Sequence, residues 1–483
     1  MSRRLLVGAV MAACSALLVT GCTTTLQGKA VSVFDDPFHV AGMPASDGPT
    51  GLRPDAHGSV REVEDTDNGK IDELAANAVS DIEEYWSSAY GDAFDGEFTP
   101  VEALISWDAN GFDDTSFCDE NTYGLVNAAF CFDDNTIGWD RGELLPALRK
   151  SYGDMGVTLV LAHEYGHAVQ HQSGLDNKKT PTLVSEQQAD CFAGAYMRWV
   201  AEDKSPRFTL STGEGLNKVL AAVIAFRDPL LAVGDPEVGV DEHGSAFERL
   251  SAFQFGFTDG PSACAAIDLR EIGQRRGDLP VLLPEDQKIT GELPVTEESV
   301  RSIIDAMGTL FSTANPPLLS FKASDAEGCP DARPSPPASY CPATNTIVVD
   351  LPELKAMGTQ SDSEDGGLAS GDNTAYSVLV SRYMQAIQHQ RGGVMLDNAE
   401  AALRTACLTG VATVKMSKSV TTPDGNTIAL TAGDVDEAVS GILTNGLAAS
   451  DVNGESVPSG FSRIDAFRVG VLGEVDRCFK RFP

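Results

Sequence analysis

Positive charge is scarce in this chain. Across 483 residues, 35 Lys and Arg face 70 Asp and Glu, which leaves a formal net charge of −35 at pH 7. A surface that acidic repels nucleic acid and anionic lipid headgroups, so neither is a partner it holds by charge. Histidine is scarcer still, with seven residues in all, and no two of the ten cysteines have the Cys-x-x-Cys spacing of a zinc-cysteine site. The apolar stretch at residues 5–19 follows Arg3 and Arg4 and runs into Val19-Thr20-Gly21-Cys22. A positive start, an apolar middle and small residues behind it read as a secretory signal, not a membrane span.

A cysteine directly after Thr-Gly resembles a bacterial lipobox. On that reading residues 1–21 are a lipoprotein signal peptide, Cys22 carries the lipid, and the chain is an exported lipoprotein on the extracytoplasmic face of the cell membrane. Ser2-Arg3-Arg4 also hints at twin-arginine export. Cleavage removes two arginines and no acid, so the net charge goes from −35 to −37. The lipid, not a basic patch, is then what anchors the protein to the membrane. Residues 22–62 are rich in Thr, Gly, Pro and Asp without periodicity, and are expected as a flexible tether.

Three of the seven histidines fall in one stretch, where an apolar run leads into His163-Glu164-Tyr165-Gly166-His167 and Gly174 closes the segment. On a helix His163 and His167 stand one turn apart on the same face, where both imidazoles reach one metal ion. Glu164 lies beside them, placed as general base toward a water that the metal activates. His171 is two turns from His163, roughly 12 Å along the axis, too far to share the ion. Zinc in hydrolytic sites takes three protein ligands, so the third comes from another element. Glu186 lies nineteen residues beyond His167, and Asp190 follows it by one helical turn. Glu186 is expected to complete the site for one Zn²⁺ per chain. Asp190 is expected to hold the other ring nitrogen of a ligand histidine, and is the rival for the ligand position.

The chain also repeats itself. Phe130-Cys131, Asn135-Thr136-Ile137 and Asp140 recur as Tyr340-Cys341, Asn345-Thr346-Ile347 and Asp350. The block Gln170-His171-Gln172 recurs as Gln388-His389-Gln390, Cys191 with Gly194 as Cys407 with Gly410, and Phe247 to Cys264 as Phe461 to Cys478. This divides the chain into a unit at residues 63–292 and a second at 293–483. In the second unit Ser381, Arg382 and Gln385 stand where the first has His163, Glu164 and His167, and Ala402 and Ala406 replace Glu186 and Asp190. The acids disappear together with the histidines, which ties them to one site. His389 survives opposite His171, so His171 is a structural residue. A copy stripped of chemistry serves to shield the active face or to supply substrate-binding surface.

After Cys22 the eight cysteines fall four to a unit, which allows three pairings in each. The short first loop is easy to close, favouring Cys118–Cys131 with Cys191–Cys264, mirrored by Cys329–Cys341 with Cys407–Cys478. Apolar periodicity predicts helices over residues 71–90, 144–152, 182–201, 216–226 and 247–255, besides the His-Glu helix. A strand at 101–107 and short strands or a hairpin at 128–139 complete an α+β class.

The motif His163-Glu164-x-x-His167, followed by Glu186-x-x-Ala189-Asp190-Cys191-x-Ala193-Gly194, resembles the gluzincin metallopeptidases. More narrowly it is similar to the putative neutral zinc metallopeptidase family of bacterial envelope proteins. That family shows a Tyr-Cys segment before the helix and His-Gly-Ser with a downstream Arg and Phe. Here these correspond to Phe130-Cys131, His243-Gly244-Ser245, Arg249 and Phe253, while Tyr196 stands where tryptophan is expected. The resemblance covers most of residues 118–260 and implies a helix-rich zincin-like unit with a small sheet, here duplicated in tandem. The implied activity is hydrolysis of a peptide or protein substrate, by an endopeptidase rather than an exopeptidase. His243 is either a donor to the oxyanion or an ordinary loop histidine; its counterpart is Val457. Two other classes fit the same residues: a metal-binding scaffold that recruits partners, and a zinc amidase acting on cell-wall peptides. The retained Glu164 argues against the scaffold, because a structural zinc has no use for it.

Overall fold

The computed structural model describes residues 36–483 apart from 113–114, 178, 241, 286–290 and 361–366. The expected signal peptide and Cys22 lie outside the described residues. Residues 155–162 are apolar on every side, so their helix belongs inside the core rather than on its surface. It runs Asp154–Ser173, after Gly153 and before Gly174, whose left-handed φ of 71° ends it. Around this motif helix pack Lys70–Ala93, Leu144–Tyr152, the return helix Thr182–Ala201 and Glu214–Ala225. The helix Ala246–Asp259 crosses the return helix with backbones in contact. A Cβ on Gly256 would lie 1.7 Å from the Cys191 carbonyl oxygen, so no other residue fits there.

One small sheet supports the motif helix. Its central strand Thr136–Asp140 runs parallel to Ala103–Trp107 and antiparallel to Ala128–Cys131. Asn135, at φ 54°, turns the chain into the central strand, a conformation asparagine tolerates better than most residues. The second half has the same order. Leu318–Ser320, Ala338–Cys341 and Thr346–Val349 form its sheet, and Asn345 turns the chain at φ 48°. The helices Asp372–Arg391, Ala399–Met416, Asp434–Thr444 and Gly460–Val471 follow. A Cβ on Gly470 would meet the Cys407 carbonyl oxygen at 1.8 Å, as Gly256 meets that of Cys191. The four expected disulfides are formed, with Cα–Cα distances of 5.4–5.7 Å. With 49% of the described residues helical and sheets of two or three strands, the class is α+β. Among the described residues no helix is long and apolar enough to cross a membrane.

Two expectations change. Residues 36–62 are not a free tether: Gly51–Leu52 pairs with Phe208–Thr209, Val40 is buried, and Arg61 forms an ion pair with Glu83. Their strands are two residues long, too short for alternation to show in the sequence. Nor are residues 63–292 and 293–483 separate bodies. The described chain is one compact unit, and one hydrophobic core runs through both halves. Helices Asp434–Thr444 and Gly460–Val471 pack on Glu214–Ala225 and Ala246–Asp259, with Phe461 and Phe257 ring centroids 5.0 Å apart.

Candidate metal centre

The motif helix supplies His163, Glu164 and His167, and the return helix supplies Glu186 and Asp190. They meet because Gly166 lets the helices touch: a Cβ there would stand 2.9 Å from the Cα of Ala189. One donor atom from each of His163, His167 and Glu186 lies within 4.8 Å of the others. His163 Nε2 is 3.0 Å from one Glu186 oxygen, and His167 Nε2 is 3.4 Å from the other. The opposite ring nitrogens are already occupied. Nδ1 of His163 lies 2.9 Å from Asp190 Oδ1, and Nδ1 of His167 lies 2.9 Å from Gln170 Oε1. Each acceptor holds the proton on Nδ1, so a metal ion would displace only the Nε2 proton that faces Glu186.

These acceptors are themselves fixed. Arg249 donates to both oxygens of Asp190, at 2.8 and 2.7 Å. Gln170 donates to the Ser185 carbonyl at 2.7 Å and to Gln188 Oε1 at 3.0 Å. Burial alone would push the His163 imidazole down, but Asp190 and Glu186 outweigh it and hold its pKa up to about 10. Burial likewise opposes the charge on Glu186, yet its bonds to both histidines keep it far below the ordinary carboxylate range. The cluster therefore calls for positive charge at its centre. Two imidazole nitrogens and a carboxylate oxygen are also the donor set that zinc takes in hydrolytic sites, so the residues present fit the metal.

Glu164 accepts from the backbone N–H of Phe130, at 3.1 Å, on the sheet's edge strand, and burial pushes its pKa up. His243 stands at the rim, with Nε2 3.7 Å from Glu186 Oε2 and Nδ1 3.2 Å from Asp228 Oδ1. His171 lies outside this group, against the rings of Phe130 and Phe132 at 5.9 and 5.7 Å. In the second half His389 packs on the Tyr340 ring at 6.1 Å and also meets its hydroxyl through Nδ1 at 2.9 Å.

Sequence reasoning missed three participants. Gln170 stands three residues after His167 in the repeated block, a signal that went unread. Asp228 accepts from the backbone N–H groups of His243 and Gly244 at 2.9 and 2.7 Å. Asp436 reaches over from the second half and accepts from the N–H groups of Ala246 and Phe247, at 3.1 Å each, at the start of the helix that carries Arg249. Neither aspartate sits in a local pattern that marks it. Arg382 is fully buried and donates to the Ala338 carbonyl at 2.7 Å and to Ser450 Oγ at 2.9 Å. Gln385 donates to the carbonyls of Ser450 and Asp451 at 3.1 and 2.9 Å.

Residues 36–267 match the family model described as putative neutral zinc metallopeptidase. Uncharacterized protein Rv2575 of Mycobacterium tuberculosis and Uncharacterized protein Mb2605 of Mycobacterium bovis are each 27% identical over 168 residues, covering 31% of this chain. The chain spans 57% of the length of these curated relatives. No solved structure matches it.

Proposed function

We propose that this chain is a peptidase that cleaves internal peptide bonds at one zinc ion, anchored outside the cell membrane by lipid on Cys22; the match of residues 36–267 to the model described as putative neutral zinc metallopeptidase supports this reading. The observation that carries this reading is the pair of imidazoles with Nδ1 occupied and Nε2 turned to Glu186, with Glu164 beside them. When bound, the zinc ion supplies the positive charge that polarises the scissile carbonyl and acidifies water. His163, His167 and Glu186 hold it, and Asp190 and Gln170 aim the histidines. Glu164 takes a proton from the attacking water and returns it to the leaving amine, a task suited to a carboxylate whose pKa is raised by burial. His243, steadied by Asp228, donates to the carbonyl oxygen as charge builds there. The second half we read as a degenerate copy, with Arg382 where the base would stand.

The test is to incubate the purified chain with a diverse peptide library, with and without chelator, and read cleavage by mass spectrometry. Chelator-sensitive cuts at internal bonds are expected. If no library peptide is cut, chelator-sensitive release of peptides from purified cell wall favours the amidase, and zinc binding without either activity favours the scaffold.

A further inference from the structure

The catalytic groups open into a cavity of about 880 Å³, within the range of sites that enclose a ligand. Most of its polar groups are engaged within the protein. Arg249 holds Asp190, Arg276 pairs with Glu248 at 2.6 Å, and Arg227 donates to the Gly367 carbonyl at 2.8 Å. Asp228 accepts from His243 and Gly244, and Asp436 from Ala246 and Phe247. Apolar side chains share the open surface with Glu237 and Glu242: Leu230, Val238 and Val240 remain 48, 39 and 60% exposed while lining the cavity. Apolar side chains grouped and exposed in this way mark a binding surface.

The second half builds part of that wall. Val435 lines the cavity. Beside it Gly433, at φ 95°, packs so closely on Leu230 that a Cβ would stand 2.8 Å from its Cδ1. The carboxylates Glu237 and Glu242 also line the cavity, and on a chain of net charge −35 they disfavour acidic side chains in the substrate.

We propose that this cleft selects polypeptides with bulky apolar side chains beside the scissile bond, and that the second half shapes the selectivity through Val435 and the seat it gives Leu230. The inference rests on the peptidase reading for the place of the scissile bond. Its test is binding by the zinc-loaded full chain carrying Glu164→Gln, so that hydrolysis does not intrude. The probes are two N-acetylated, C-amidated, fluorescently labelled hexapeptides that differ only in a central Leu-Phe or Ser-Asn pair. The Leu-Phe peptide is expected to bind at least about tenfold tighter, the lower end of what burying one large apolar side chain yields. Leu230→Ser in the same background is expected to remove several-fold of that preference while zinc content stays at one per chain. Equal affinities for the two peptides, or an unchanged preference in Leu230→Ser, would overturn the proposal. The two readings fail separately. If zinc-loaded wild type cleaves neither peptide yet the preference for Leu-Phe persists, the peptidase reading falls and the scissile bond with it, and the preference of the cleft for bulky apolar side chains stands. If both peptides are cleaved at the same rate, the reverse holds.

Discussion

Replacing Asp190 by Asn tests whether that carboxylate orients a ligand or is one. In the structure it joins His163 Nδ1, at 2.9 Å, to Arg249, which grips it through two nitrogens at 2.8 and 2.7 Å. The amide keeps the shape but loses the charge, and its NH₂ faces either the imidazole N–H or the guanidinium. Two losses follow, and they are separable. Loss of a partner that orients a ligand histidine weakens zinc by about 10–100-fold, or about 1.4–2.7 kcal/mol. The Arg249 guanidinium, 7% exposed, is left without its counter-ion, and breaking such a buried pair from one side costs about 3–5 kcal/mol of stability. Competition with a chromogenic chelator reads the first loss. Guanidinium unfolding of the metal-free protein reads the second, which Arg249→Met in the same chain should partly relieve. Glu186→Ala, which removes a direct donor, should weaken zinc beyond the range of Asp190→Asn. Stoichiometric tight zinc in Glu186→Ala together with zinc loss in Asp190→Asn would exchange their roles and refute this account of the site.

Glu164→Gln should keep its zinc and lose about 10²–10⁴-fold in turnover of a peptide substrate; turnover at the wild-type rate would remove Glu164 from the reaction. His243→Ala should slow turnover with zinc content unchanged, and an unaltered rate would make it an ordinary loop residue. Metal analysis of the full chain should find one zinc, because in the second half Arg382 and Gln385 stand in place of Glu164 and His167 and donate to backbone carbonyls; two would contradict this. Stability should also depend on pH through a second buried cluster. Burial, with neighbouring carboxylates adding to it, pushes Asp372 up to about 7, Asp434 to about 8 and Glu437 to about 9. The folded chain binds these protons more tightly than the unfolded one, so their contribution is complete below the ordinary carboxylate pKa of about 4 and is lost as pH rises through 7 to 9. The melting temperature should therefore fall between pH 6 and 9, and less steeply in Asp434→Asn with Glu437→Gln. Equal slopes in the two proteins would refute it.

The grouping of His163, Glu164 and His167 on one helix and the order of the elements were legible in the chain itself. One helical turn puts His163 and His167 on one face whatever surrounds them, and apolar periodicity places the helices Thr182–Ala201 and Leu144–Tyr152. The cysteine pairs followed from the short loop between Cys118 and Cys131, and from its like between Cys329 and Cys341, which leave one pairing for the rest. What needed the tertiary structure was every contact whose partners lie far apart along the chain. Arg249 grips Asp190 from 59 residues away, and Asp436 caps the helix Ala246–Asp259 from 190. Residues 36–62 looked like a linker until Phe208–Thr209 gave one of their strands a partner. Local spacing is set by backbone geometry, which each residue carries with it. Which surfaces then meet is decided by the packing of one core shared by both halves, and no window of sequence contains that.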